Sequence, residues 1–205
     1  MGGFLCLIIG HHYLFSRIKE YVLPWEKGYM EISLLADHPH HISTIVGWYF
    51  DEWASHVPGV TKEMVRKKVE VTALNRDIPF SLVAHDDREL VGTLEIKIQE
   101  NKNHPEYEFW IGGIYVSAVH RRKGIAKKLM NVARNMAVSR GVATLYLQCE
   151  THNVGFYREQ GFNAIHKSTH GHWETTIMAC HHINMPINLF YGLTTSLFIP
   201  LLLAQ

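Results

Sequence analysis

A chain of 205 residues with 47% apolar and 19% charged side chains can bury one well-packed domain and is too short for two of ordinary size. Lys and Arg total 20 against 19 for Asp and Glu, a net charge of +1, which excludes a bulk positive field of the kind that holds nucleic acid; any anion must be bound by a local site. The three cysteines, Cys6, Cys149 and Cys180, fit neither a disulfide framework nor a Cys-x-x-Cys motif, so a reducing, cytoplasmic setting is expected.

Residues 1–29 read as an N-terminal extension. Phe4 to Ile9 is an apolar run with no basic residue before it and no small-residue cleavage site after it, which argues against a secretory signal. The folded domain is expected over residues 30–180, beginning with a short strand from Glu31 to Leu35. Ile42, Ile45, Val46, Tyr49 and Trp53 recur every three or four residues and mark the buried stripe of a first helix that ends at Pro58-Gly59. Thr61 is placed to cap a second helix running to about Leu74, with Val65, Val69 and Ala73 in register.

A hairpin follows. Phe80 to His85 is one arm and Asp86-Asp87-Arg88 the turn; in the other arm Leu90, Leu94, Ile96 and Ile98 are expected on one face, opposite Val91, Thr93, Glu95, Lys97 and Gln99. Tyr107 to Val116 is apolar on both faces, with Phe109, Ile111 and Tyr115 opposite Trp110, Ile114 and Val116, and belongs in mid-sheet. From Gly124 to Arg140, Ile125, Leu129, Val132 and Met136 face one way and Lys127, Lys128, Asn131, Arg134 and Asn135 the other, with Gly141 placed to end the helix. A strand over Val142 to Gln148, a short helix begun by Asn153 and ended at Gly161, and strands over Phe162 to Thr169 and Trp173 to Cys180 complete a mixed α/β sheet with helices on both faces. The last two strands flank a turn at His170-Gly171-His172.

Residues 181–205 form an apolar tail. Leu189 to Ala204 carries no charge but falls short of the ~20 residues that span a bilayer. A tail anchor, a docking segment and a loose appendage all remain open for it, with membrane contact the lesser expectation. The histidine pairs His11-His12, His40-His41 and His181-His182, with His170 and His172, invite a metal reading. Adjacent histidines diverge on a strand or a helix, so they read as solvated or core side chains and no metal is expected.

The chemistry concentrates at Arg121-Arg122-Lys123-Gly124-Ile125-Ala126, between a strand and a helix. A helix start offers unpaired amides and the positive end of a dipole. Gly124 removes the Cβ that would block backbone approach, Ala126 is small, and the three cations add donors. That is a cradle for a diphosphate. The turn lacks the Lys-Ser/Thr of a P-loop and the three glycines of a dinucleotide site, which disfavours ATP and NAD.

Arg121-x-x-Gly124-x-Ala126, after an apolar strand ending Tyr115-Val116 and before an amphipathic helix, resembles the acetyl-CoA motif of the GNAT-type N-acetyltransferases. The run from Asn153 to Phe162, Asn-Val-Gly-Phe-Tyr-Arg-Glu-Gln-Gly-Phe, is similar to that family's second signature. The resemblance covers roughly residues 31–180 and implies a GNAT-like mixed, mostly antiparallel sheet of six to seven strands, with acetyl-CoA as co-substrate and an amine as acceptor. By position it implies that the backbone of Tyr115 and Val116 pairs with the pantetheine arm, and that the amides of Arg122, Lys123, Gly124, Ile125 and Ala126, with the Arg121 side chain, hold the pyrophosphate. Asn153 falls near the thiol, or is simply a helix cap. Tyr157 matches the general acid that faces the sulfur, and Glu108 or Glu95 is the candidate base, with Glu108 favoured. The acceptor region would draw on Trp48, Glu52, Trp53, His170, His172 and Trp173. The chain is then an N-acetyltransferase, monomeric or homodimeric; a non-catalytic acyl-CoA-binding regulatory module is the alternative.

Overall fold

The computed structural model describes residues 21–25, 28–170 and 173–181. Its framework is an eight-stranded sheet in the order β1-β2-β3-β4-β5-β6-β8-β7. The strands are β1 (Tyr21–Trp25), β2 (Gly28–Leu34), β3 (Phe80–Asp86), β4 (Glu89–Ile98), β5 (Phe109–Val116), β6 (Thr144–Cys149), β7 (Asn163–His170) and β8 (Trp173–His181). Only β5 and β6 run parallel; every other neighbouring pair is antiparallel. From β2 onward the element order is the expected one. The sheet begins earlier than Met30, because β1 adds an outer strand against β2.

Four helices cover the two faces: α1 (Ile42–Glu52), α2 (Lys62–Ala73), α3 (Ile125–Ser139) and α4 (Val154–Glu159). The stripe that predicts α1 buries Ile45, Val46 and Tyr49, and α2 buries Val65, Val69 and Ala73 beside them, with Val83 and Leu90 from the sheet below. Thr61 caps α2 as expected, its Oγ1 accepting from the Met64 amide at 3.3 Å. On the opposite face, Ile125, Leu129, Val132 and Met136 of α3 pack on Leu82, Ala84, Leu94, Ile96 and Ile111. Adjacent residues of β3 thus serve different cores, Val83 one and Leu82 the other, as the period of two requires.

Simple alternation fails at two bulges. Ala84 pairs with Gly92 while His85 pairs with Leu90, so Val91 is an extra residue in β4. Leu90 consequently lies with the α1/α2 core, and Val91, not Leu90, shares the α3 face with Leu94 and Ile96. A second irregularity sets Thr93 to Glu95 against Tyr115 to Gly112, with Gly113 at φ +56°. It puts Ile111 and Ile114 against the same core, whereas strict alternation sets them on opposite faces.

No helix among the described residues is long and apolar enough to cross a membrane. The apolar run near the N-terminus, most of the tail, and Gly171 and His172 of the last turn lie outside the described residues.

Candidate active site

β5 and β6 share one ladder pair, Trp110 with Tyr146, and part beyond it. The C-terminal half of β5 therefore has no ladder pair with β6 among the described residues, and Ile114, Tyr115 and Val116 line an opening. A short turn leads from this loose end to α3. The geometry between them is a cleft of about 270 Å³ lined by Ile114, Tyr115 and Val116 from the strand, and by His120, Arg121, Arg122, Gly124, Ile125, Ala126 and Lys127 from the turn and helix start. Glu52 and Trp53 close one side from the end of α1, and Phe156 of α4 closes another.

The turn has the backbone of an anion cradle. Gly124 is the N-cap of α3 in the left-handed region, φ 76°, and a Cβ there would meet nothing within 4 Å. Its glycine thus serves conformation and clearance rather than packing. Arg122 also takes a positive φ, 64°, which costs a non-glycine residue on the order of 1 kcal/mol. The first amides of the 15-residue α3 have no partner within the helix, and no acidic side chain stands in its first turn.

Arg121 is already folded over this opening. Its Nε donates to the Val116 carbonyl at 3.0 Å, its Nη2 donates to Glu52 Oε2 at 3.1 Å, and its guanidinium lies 5.5 Å from the Tyr115 ring centroid. Tyr115 stacks on Trp48 at 4.8 Å and meets Trp53 edge-on at 6.3 Å. One wall of the cleft is therefore aromatic and carries a single carboxylate, Glu52.

Beneath the cleft the second bulge is pinned by a buried polar group. Tyr49 donates its hydroxyl to the Gly113 carbonyl at 2.6 Å. Glu95, 3% exposed, accepts from Thr72 Oγ1 at 3.1 Å and from Lys97 Nζ at 3.0 Å, and Lys97 also reaches Glu100 at 3.0 Å. Burial pulls the Lys97 ammonium down, but Glu95 and Glu100 outweigh it and hold its pKa above the ordinary lysine value. Burial, then the Glu95 charge, push the Tyr49 hydroxyl far above the ordinary tyrosine value, so it remains a donor.

The expected site residues fall into three groups. Tyr115, Val116, Arg121, Arg122, Gly124, Ile125 and Ala126 line one cleft. Lys123 and Tyr157 are chain neighbours of lining residues, and Asn153 stands three residues before Phe156; none of the three lines the cleft itself. Asn153 sits at the start of α4 but its side chain makes no capping hydrogen bond, so helix capping does not account for it. Tyr157 follows the lining residue Phe156 and is half-buried, with ring contacts at 5.1 Å to Phe156 and 6.4 Å to Phe162. Burial, and secondarily Cys149, raise its hydroxyl pKa above the ordinary value.

Glu108 forms the third group alone. It is exposed and precedes β5 at the end where that strand still pairs with β6, seven residues and roughly 20 Å of extended chain from Tyr115. It therefore lies outside the cleft that the other expected residues line. Ile114, His120, Lys127 and Phe156 line the cleft without having been singled out for it; their signal was only adjacency to the turn and to Tyr157.

The chain belongs to the Acetyltransferase (GNAT) family, whose sequence profile matches residues 42–162. Among solved structures it is similar to an aminoglycoside 6'-N-acetyltransferase complexed with coenzyme A, with 18% identity, TM-score 0.60, and 76% of this chain and 98% of that one covered. It is similar also to aminoglycoside 6'-acetyltransferase type Ii, with 21% identity, TM-score 0.58 and coverages of 76% and 99%. A third is the PaiA N-acetyltransferase from Thermoplasma acidophilum in complex with coenzyme A, with 21% identity, TM-score 0.53 and coverages of 75% and 99%. These likenesses establish the shared fold. No curated protein matches the sequence.

Proposed function

We propose that the protein transfers the acetyl group of acetyl-CoA to a primary amine of a small molecule or of a protein or peptide. The observation that carries this reading is the parting of β5 from β6 directly beside a glycine-capped, basic helix start. The end of β5 at Tyr115 and Val116, parted from β6, suits a pantetheine amide chain that would displace Arg121 from the Val116 carbonyl, and the amides of Arg122 to Ala126 suit a pyrophosphate. Open space at Gly124 leaves that approach clear. Solved relatives of the same fold with coenzyme A bound support the choice of ligand.

In the reaction the neutral amine nitrogen attacks the thioester carbonyl carbon and gives up a proton to solvent, the C–S bond breaks, and the departing sulfur takes a proton. Tyr157 supplies it: its raised pKa keeps the phenol protonated at neutral pH. Glu52 and the faces of Trp48 and Trp53 receive the amine, since a carboxylate among aromatic faces attracts an ammonium group. Glu95 is a positioning group in this reading. Its carboxylate is committed to Thr72 and Lys97 and holds the bulge beneath the acceptor wall.

The Glu52–Arg121 pair gives a divided expectation. Both side chains are partly exposed, 40% and 47%, so the pair is worth at most about 1 kcal/mol. Glu52→Gln frees Arg121 for the pyrophosphate and should tighten acetyl-CoA binding by up to about fivefold, while raising KM for a cationic acceptor. Parallel calorimetry and steady-state kinetics would check it; unchanged values of both constants would remove Glu52 from the site. The function itself is tested by following thiol release from acetyl-CoA over a panel of small amines and peptides, with mass spectrometry of the product. Stoichiometric thiol and N-acetylated amine are expected. Tight acetyl-CoA binding without product from any amine would favour the regulatory module.

A further inference from the structure

On the α1/α2 side of the sheet, three imidazoles from separate parts of the chain converge. His38 follows β2, His41 immediately precedes α1, and His85 lies on β3. Nε2 of His41 stands 2.9 Å from Nε2 of His85, and one ligand-capable nitrogen from each of the three lies within 4.8 Å of the others. Nitrogens bound to one tetrahedral zinc ion at about 2.0–2.1 Å stand roughly 3.4 Å apart, so a modest rotation of the half-buried His38 and His41 rings would complete the set.

His85 is itself 5% exposed, and its Nδ1 is buried with no hydrogen-bond partner among the described residues. The side chains as they stand therefore leave this ring unsatisfied whichever nitrogen carries the proton. A lone hydrogen bond between His41 and His85 does not account for the approach of His38 to within 4.7 Å of the His85 ring centroid. Glu31 Oε1 lies 4.0 Å from His38 Nε2 and supplies a carboxylate at the rim, of the kind that accompanies metal-bound histidines. Burial first, and then the neighbouring imidazoles, lower His85 to about 4 and lower His41, which keeps the lone pairs free near neutral pH.

We propose that His38, His41 and His85 form a binding site for a divalent ion of the zinc class, with a fourth position open to water. Three neutral imidazoles suit zinc among the commonly available divalent ions, because magnesium and calcium require oxygen ligands. The ion would tie the start of α1 to β3. α1 carries Tyr49, Glu52 and Trp53 to the cleft at its other end, so the tie fixes the helix that forms the acceptor wall. The site does not depend on what is acetylated, or on whether anything is.

The test uses the full-length protein, stripped with EDTA and titrated with zinc chloride by calorimetry, with thermal scans of both forms and the absorption spectrum of the cobalt-substituted protein. A His38→Asn/His41→Gln variant is the comparison, both positions being half-buried and so tolerant of change. Histidines elsewhere in the chain are common to both proteins and cancel. The wild type should bind one equivalent more than the variant, gain several degrees in Tm with zinc, and show the intense visible bands of four-coordinate cobalt. The variant should bind zinc at least roughly 100-fold more weakly and lose the bands. Equal zinc affinity, Tm shift and cobalt spectrum in the two proteins, or no binding to the wild type, would overturn the proposal.

Discussion

Tyr157→Phe is expected to lower kcat by on the order of 100-fold or more while leaving the Kd for acetyl-CoA within about twofold. The substitution removes one oxygen and keeps the ring, so the contacts with Phe156 and Phe162 survive and the fold is undisturbed. What disappears is the hydroxyl that the proposed reaction uses to protonate the departing sulfur. The pH dependence follows from the same burial. Tyr157 must be protonated to act, and its pKa is raised rather than lowered, so any alkaline loss of activity due to this group belongs above pH ~10. Full turnover by the phenylalanine variant, or an alkaline limb at neutral pH that the variant abolishes, would remove Tyr157 from the chemistry.

The second large effect concerns the bulge. Gly113 adopts φ +56°, and a Cβ there would overlap the Tyr49 hydroxyl and stand 2.7 Å from Glu95 Oε2. Neither neighbour can yield cheaply: Tyr49 is 8% exposed and bonded to the Gly113 carbonyl, and Glu95 is locked to Thr72 and Lys97. Gly113→Ala combines backbone strain with a displaced buried hydrogen bond, a cost of about 3 kcal/mol. In a chain of this size that lowers Tm by roughly 9 °C. Activity should fall further than stability, since the bulge shapes the strand end that faces the cleft. Tyr49→Phe removes the clashing oxygen, so the double variant should lose less than the sum of the two single changes. Strict additivity in thermal scans would mean that Tyr49 and Gly113 do not meet.

The order of elements was legible because each helix advertised itself. The Ile42 to Trp53 stripe, Thr61 before Val65, and Gly124 before Ile125 are local signals that survive folding unchanged. The same holds for the anion cradle, which is built from six consecutive residues. What alternation along one strand could not reveal was the pair of bulges, because an extra residue such as Val91 is defined only against a partner strand. That is why Leu90 and Val91 exchanged faces. β1 was hidden for a related reason: a five-residue strand containing Pro24 carries little pattern of its own and is recognised only by its pairing with β2.

Distance along the chain also explains Glu108 and the histidines. Glu108 belongs to the segment that leads into β5, but a strand has two ends, and only the parting of β5 from β6 tells which one borders the cleft. For the histidines, the test applied to His40-His41 concerned neighbours in sequence. The His40 and His41 rings do not diverge as expected but lie 4.0 Å apart between centroids, while the nitrogen that His41 Nε2 meets belongs to His85, 44 residues away, and nothing local announces that meeting.

The central claim is that the opening between β5 and the start of α3 is an acetyl-CoA site, and calorimetric titration with acetyl-CoA tests it most directly. The wild type should bind one equivalent, with affinity weakened at least roughly tenfold by Arg121→Glu and by Gly124→Val, which places a branched side chain where the pyrophosphate would lie. Absence of saturable binding, or binding of equal strength in both variants, would contradict the account.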